Sequence, residues 1–187
     1  MTPEILAGGA IVALGGVALN EFSFRRKHAY MNTVLSQMSQ EIVLLEEIDS
    51  FSAKIKNIII KYMEAVNASI ILYSDEKSDY QFMNPEDTQK GITNFQKNKK
   101  FYLYLETHGF TVDRGMLKDK RLDESTIAVA QKYFQDINAQ VCVPLIFERR
   151  LIGIINLEKK KNHKHYTHFD IELLERIKNS ITVGFTN

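Results

Sequence analysis

Residues 139–187 read AQVCVPLIFERRLIGIINLEKKKNHKHYTHFDIELLERIKNSITVGFTN. Val141, Val143, Leu145 and Phe147 alternate with other residues at the period of two that sends every second side chain to one face of a sheet. Glu148-Arg149-Arg150 is a short charged connection. Leu151 to Leu157 is a second run, apolar on both faces and rich in isoleucine, as a central strand covered on both sides requires. The pair is expected to form a hairpin. After a basic loop, Lys159 to Lys164, Thr167-His168-Phe169-Asp170 has the spacing of a capping box, in which a hydroxyl and a carboxylate serve the unpaired amides of a helix start. Leu173, Leu174, Ile177, Ile181 and Phe185 then recur at helical spacing, so an amphipathic terminal helix should cover the hairpin.

The order Val143-Pro144-Leu145, Leu151-Ile152-Gly153, Asn156-Leu157, then Tyr166-Thr167 with Asp170, Leu173 and Leu174, and a final Asn187, resembles the carboxy-terminal half of a GAF domain. The resemblance is close over roughly the last quarter of the chain and extends to earlier segments only through their order. It implies an α+β sensory module of bacterial signalling proteins, with a central antiparallel sheet flanked by helices and often a bound small molecule. It names no cofactor. The signature of cyclic-nucleotide-binding members is not reproduced: Asn156 is followed by Leu157 rather than lysine, Tyr166 stands in place of phenylalanine, and Asp170 lacks an acidic neighbour.

At 187 residues, 44% hydrophobic and 25% charged, the chain holds material for one folded domain plus extensions. Its 24 basic and 23 acidic residues leave +1, which gives no electrostatic reason to expect nucleic acid as a partner. The single cysteine, Cys142, lies inside an apolar strand pattern, and a lone thiol makes no intramolecular disulfide, which points to a reducing compartment.

Between Glu4 and Glu21 run sixteen uncharged residues, with Asn20 the only polar one and four glycines among the rest. As a helix they give roughly 24 Å against a hydrocarbon core of about 30 Å, and counting on through Phe22 and Phe24 closes the gap. Glycine disfavours helix in water but is common in membrane helices. Arg25, Arg26, Lys27 and His28 follow, so the positive-inside tendency puts the remainder on the cytoplasmic side of the inner membrane. A signal peptide would want basic residues before the apolar run and a small-x-small site after it, and neither is present. Residues 5–24 are therefore expected to form an uncleaved transmembrane helix. On this reading residues 1–28 are a membrane anchor with its basic flank, 29–47 a connecting helix and 48–187 the GAF-like domain.

Ala29 to Val66 contains no Pro or Gly and reads as helix with a break. Met31, Leu35, Met38, Ile42 and Leu45 follow the alternating three-and-four spacing of a coiled-coil seam, suited to a partner copy. Beyond it the stripe shifts to Ile48, Phe51, Ile55, Ile58, Ile59, Tyr62 and Val66, which should face the sheet. Ala68–Tyr73 and Tyr80–Met83 read as short strands. Thr88 to Lys100 is polar and reads as a loop or lid. Phe101–His108 reads as helix capped by Gly109, Phe110–Asp113 as a brief strand, and Glu124–Asn138 as a helix burying Ile127, Ala130, Phe134 and Ile137.

The resemblance places the variable wall of a ligand pocket between Phe101 and Phe134. Phe101, Tyr104, Met116, Tyr133 and Phe134, with Val143 on the sheet, are the candidate lining of a cavity for a small, largely apolar molecule; the competing reading is that they fill the core. The resemblance also sets Cys142 aside as a chromophore or redox group, because chromophore-bearing relatives attach through a cysteine in the helical pocket wall and sulfoxide-reducing relatives use several. His163, His165 and His168 lack the thiolate or carboxylate partners of a metal site, and Lys159 to Lys161 read as a solvated turn. No nucleophile–base grouping, phosphate loop or zinc motif is present, so an enzyme is not expected. The resulting expectation is a homodimeric, membrane-anchored sensory domain acting on a histidine kinase or other output domain, with a ligand-free dimerisation or docking module as the alternative.

Overall fold

The computed structural model describes residues 26, 28–42, 48–84, 86–87, 95–118 and 123–186. The chain divides into two compact units, Met1–Gln37 and Met38–Asn187. In the first, residues 28–37 are helical. The expected membrane span, residues 5–24, lies outside the described residues, and among those described no helix is long and apolar enough to cross a membrane.

In the second unit the elements are α1 (Ile48–Met63), β1 (Ala68–Ser74), β2 (Asp79–Phe82), α2 (Phe95–His108), β3 (Val112–Asp113), α3 (Glu124–Asp136), β4 (Val141–Phe147), β5 (Arg150–Leu157) and α4 (His168–Thr186). A 3-10 turn, Arg114–Lys118, links β3 to the segment before α3. The strands form one antiparallel sheet in the order β2-β1-β5-β4-β3. Being central, β5 is buried at nearly every position after Arg150, which is why its apolar residues do not alternate with polar ones.

The hairpin expected from residues 141–157 is present, but Arg150 belongs to β5, opposite Phe147, and only Glu148 and Arg149 form the turn. Both turn residues have positive φ, 47° and 65°, as a two-residue type I′ connection demands. The ladder slips between Leu145 and Ile146 because Ile152 is an extra residue in β5. This bulge turns Leu151 to the same face as Ile146 and Ile154. Gly153 beside it has no room for a side chain: a Cβ would lie 2.4 Å from Leu72 Cδ2 and 2.6 Å from the Ile71 carbonyl oxygen.

One face of the sheet carries α1 and α4, with Phe51 and Phe185 meeting edge to face at 4.8 Å. Ile55, Ile59, Leu173, Leu174, Ile177 and Ile181 are buried as their spacing requires. Helix α1 ends at Met63, so Val66, expected in its stripe, is exposed. Met38 and Ile42, read as part of a seam for a partner, are buried within this chain. Glu41, between them, accepts from Tyr62 Oη and Lys61 Nζ, each at 2.8 Å, which ties its turn to the end of α1. Leu45 lies outside the described residues.

The capping box forms with aspartate in the acidic role: Thr167 N and Oγ1 both donate to Asp170 Oδ2, and Asp170 N donates to Thr167 Oγ1. Asp170 also accepts from Lys160 Nζ, at 2.9 and 3.0 Å. Lys160 is therefore buried rather than part of a solvated turn, whereas Lys159 and Lys161 are exposed. A second buried lysine, Lys56, donates to both oxygens of Asp87 and to Glu86.

The opposite face carries α2 and α3. Helix α2 starts at Phe95, so the last part of the segment read as a loop is helical. Its first turns are polar because Lys97, Lys99 and Lys100 face water, while Asn98 is buried and donates to Tyr102 Oη at 3.4 Å. Gly109 ends the helix as expected, in the left-handed conformation with φ 66°, its N–H on the Leu105 carbonyl. Helix α3 begins on the Asp123 cap and, with Ile137 just past its end, buries Ala130, Phe134 and Ile137 as expected; Ile127 is half-buried, and Thr126 and Tyr133 join the packed face.

Candidate functional site

Four segments meet at the sheet end where β1 finishes and the β4–β5 hairpin turns. Antiparallel register places Tyr73 of β1 directly opposite Tyr80 of β2, on the face beneath α2. Their rings meet at 5.3 Å and 70°, a cross-strand aromatic pair. Helix α2 lays Tyr102 against Tyr80 at 4.6 Å, and Glu106, one turn further on, reaches the start of β5.

There the bulge turns the backbone of Leu151 toward this cluster. Glu106 Oε2 accepts from Leu151 N at 2.8 Å, and Tyr80 Oη donates to Leu151 O at 2.8 Å. Both backbone groups of one residue are thus satisfied by side chains from two other elements, which fixes the geometry of the corner. Between these walls is a groove of about 420 Å³. Its rim is completed by Asp75 after β1, Leu103 of α2, and Phe147, Glu148, Arg150 and Ile152 of the hairpin.

The groove is aromatic inside and charged at its edge. Burial, reinforced by the Glu106 carboxylate, pushes the Tyr80 hydroxyl well above its ordinary value. Burial does the same to Tyr102, against the hydrogen bond from Asn98. Both remain neutral hydroxyls at physiological pH.

From the groove a series of rings runs inward. Tyr102 meets Tyr133 at 5.7 Å, and Tyr133 meets Phe101 at 5.1 Å. Tyr133 Oη donates to Asn156 Oδ1 at 3.0 Å, and Cys142 Sγ donates to the same oxygen at 3.2 Å. Asn156 is buried, and its Nδ2 finds no hydrogen-bond partner among the described residues. Burial pushes the Cys142 thiol far up, which keeps it protonated.

Of the six residues expected to line a cavity, Phe101, Tyr133 and Phe134 come together as packed rings, 5.1 to 6.4 Å apart. Tyr104 is half-buried beside His108 and Phe110 on the outer side of α2. Met116 is 45% exposed, and Val143 lies on the opposite sheet face from Cys142 and Asn156. None of the six lines the groove. The residues that do were not singled out. Tyr102 and Glu106 share a face at i, i+4, a signal visible in the sequence; Tyr73 and Tyr80 needed the β1–β2 register, and Leu151 the bulge. His163 and His165 are exposed, and among the described residues no group of His, Cys, Asp or Glu is placed to hold a metal ion.

No protein-family model and no curated protein matches the sequence. Solved structures do match its fold. The GAF domain of a phosphoenolpyruvate-protein phosphotransferase from Acinetobacter superposes with a TM-score of 0.59 at 14% identity, covering 82% of this chain and 91% of that one. The corresponding domain from Coxiella burnetii gives 0.59 at 14% identity, over 83% and 92%. The GAF domain of the potassium sensor histidine kinase of Escherichia coli gives 0.51 at 14% identity, again over 83% and 92%. The chain therefore has a GAF-like fold: an antiparallel five-stranded sheet flanked by helices, built as the similarity of its last quarter implied.

Proposed function

We propose that this chain is the sensory or regulatory module of a bacterial signal-transduction protein and that it binds a small molecule in the groove bounded by Tyr73, Tyr80, Tyr102 and the β4–β5 hairpin. The observation that carries the reading is the groove itself: a concave, aromatic space of about 420 Å³ with convergent polar groups, within the size range of small-molecule sites. Its walls belong to five elements, β1, β2, α2, β4 and β5, so a ligand there would bear on all of them at once. The shared fold with domains of a sensor histidine kinase and of phosphotransferases supports a regulatory role without naming the signal. We read residues 5–24 as an inner-membrane anchor that leaves the module on the cytoplasmic side, and the module as a non-enzymatic homodimer acting on a histidine kinase or other output domain.

The alternative, a ligand-free docking module, draws support from the interior. Phe101, Tyr133 and Phe134 occupy the space between sheet and helices with their own rings. Native mass spectrometry of the full chain after purification from cells, with a thermal-shift screen of metabolites, separates the two. The sensory reading expects a bound mass or a ligand-dependent rise in Tm. It also expects both to be lost in Leu103→Trp, which narrows the groove from its exposed rim without touching the core. No ligand in either assay, with wild type and Leu103→Trp alike, would support docking.

A further inference from the structure

Resting on the reading that this groove holds a small molecule, we propose that the molecule is an organic ammonium ion carrying an apolar or aromatic body. Three carboxylates, Asp75, Glu106 and Glu148, stand around the groove against one guanidinium, Arg150. An anion would meet that excess of negative charge. A neutral apolar molecule would cover the carboxylates and leave them without a partner, which is costly. Glu106 in particular is half-buried and held by α2; its Oε2 is taken by Leu151 N, and its Oε1 has no hydrogen-bond partner among the described residues.

A bare metal ion is disfavoured by the layout. Metal sites need oxygens converging on one point, whereas these carboxylates are spread about an aromatic space and do not group to hold one. What fits dispersed acids and ring faces together is a large, weakly hydrated cation, attracted to the faces of tyrosine and phenylalanine and balanced by nearby carboxylates. Tyr73, half-buried, supplies a ring inside, backed by the buried rings of Tyr80 and Tyr102, and Phe147, 39% exposed, supplies one at the rim. The raised hydroxyl of Tyr80, caused first by burial and then by Glu106, reports the same negative surroundings.

The test is titration of the full chain, with ring-labelled tyrosines, by choline and by phenethylamine. The controls are their uncharged counterparts, 3,3-dimethylbutan-1-ol and phenethyl alcohol, and the anion phenylacetate. The proposal expects at least one ammonium probe to shift Tyr73 and Tyr102 saturably, at least about tenfold tighter than its uncharged counterpart. It expects Glu106→Gln, which keeps an acceptor for Leu151 N, and Glu148→Gln, on the exposed turn, each to weaken that binding by about threefold or more at low salt. Equal or tighter binding of an uncharged or anionic probe at the same tyrosines would overturn the ammonium class and leave the groove a small-molecule site. If neither ammonium probe shifts those tyrosines, the class falls. If a mixed set of neutral and anionic metabolites also leaves them unmoved, the reading of the groove falls with it.

Discussion

Tyr80 of β2 donates its hydroxyl hydrogen to the carbonyl of Leu151 on β5 at 2.8 Å, although β1 lies between those two strands in the sheet. The side chain passes over its neighbouring strand to satisfy a carbonyl that the bulge turns toward it. Tyr80→Phe keeps the ring and leaves that acceptor buried without its donor. A loss of about 1–3 kcal/mol in unfolding free energy is expected from urea denaturation. Retention of wild-type stability would mean that the carbonyl finds another partner.

Gly153 sits in the same irregularity. Gly153→Ala would press a methyl group against Leu72 and the Ile71 carbonyl, separating β1 from β5. The expected cost is about 2 kcal/mol or more, read from the denaturation midpoint. An alanine tolerated without loss would show that the two central strands separate easily.

The Lys160–Asp170 pair predicts an order rather than a single value. Asp170→Ala strands a buried ammonium and removes the acidic half of the capping box of α4, so a loss of about 3–5 kcal/mol is expected. Lys160→Met leaves Asp170 bonded to the Thr167 N–H and hydroxyl, and should be the milder change by thermal or chemical unfolding. The reverse order would mean that the Asp170 carboxylate left without its ammonium costs more than the stranded Lys160 and the lost bonds to Thr167 together.

Glu175 ties α4 to the segment after α2. Burial works to raise its pKa, but hydrogen bonds from Lys178 and Thr111 outweigh that and hold the carboxyl below its ordinary value. The folded state therefore binds this proton less readily than the unfolded chain. Its contribution to stability is present above the unfolded carboxylate pKa and is lost as pH falls through the lowered one. Glu175→Gln should flatten the acid limb of the stability–pH curve below about pH 4.5; an unchanged slope would show that other carboxylates carry it.

Cys142 is buried, and its thiol is held protonated by that burial. Alkylation of the native protein should therefore be slow at neutral pH and follow the fraction unfolded as urea is added. Fast labelling without denaturant would reveal an opening of the sheet that reaches β4.

The hairpin and α4 were legible because their signals are local: alternation in residues 141–147, an apolar run in β5, a capping box and a helical stripe. The GAF-like order followed from them. Other features depended on contacts made by distant residues. Polar residues hid the first turns of α2, where Lys97, Lys99 and Lys100 face water and Asn98 turns inward. Lys160 looked solvated because its partner stands ten positions later in the chain. The groove was illegible for the same reason: it exists only once β2 registers on β1 and Ile152 shifts β5 by one residue.

The β4–β5 connection has a consequence of its own. Glu148 and Arg149 occupy a conformation that asparagine and glycine adopt at much lower cost. Replacing the pair by Asn-Gly would relieve that cost and tighten the hairpin, while erasing one acidic side chain from the rim. The present tip thus accepts a backbone cost at two positions while keeping the Glu148 carboxylate on the rim of the groove.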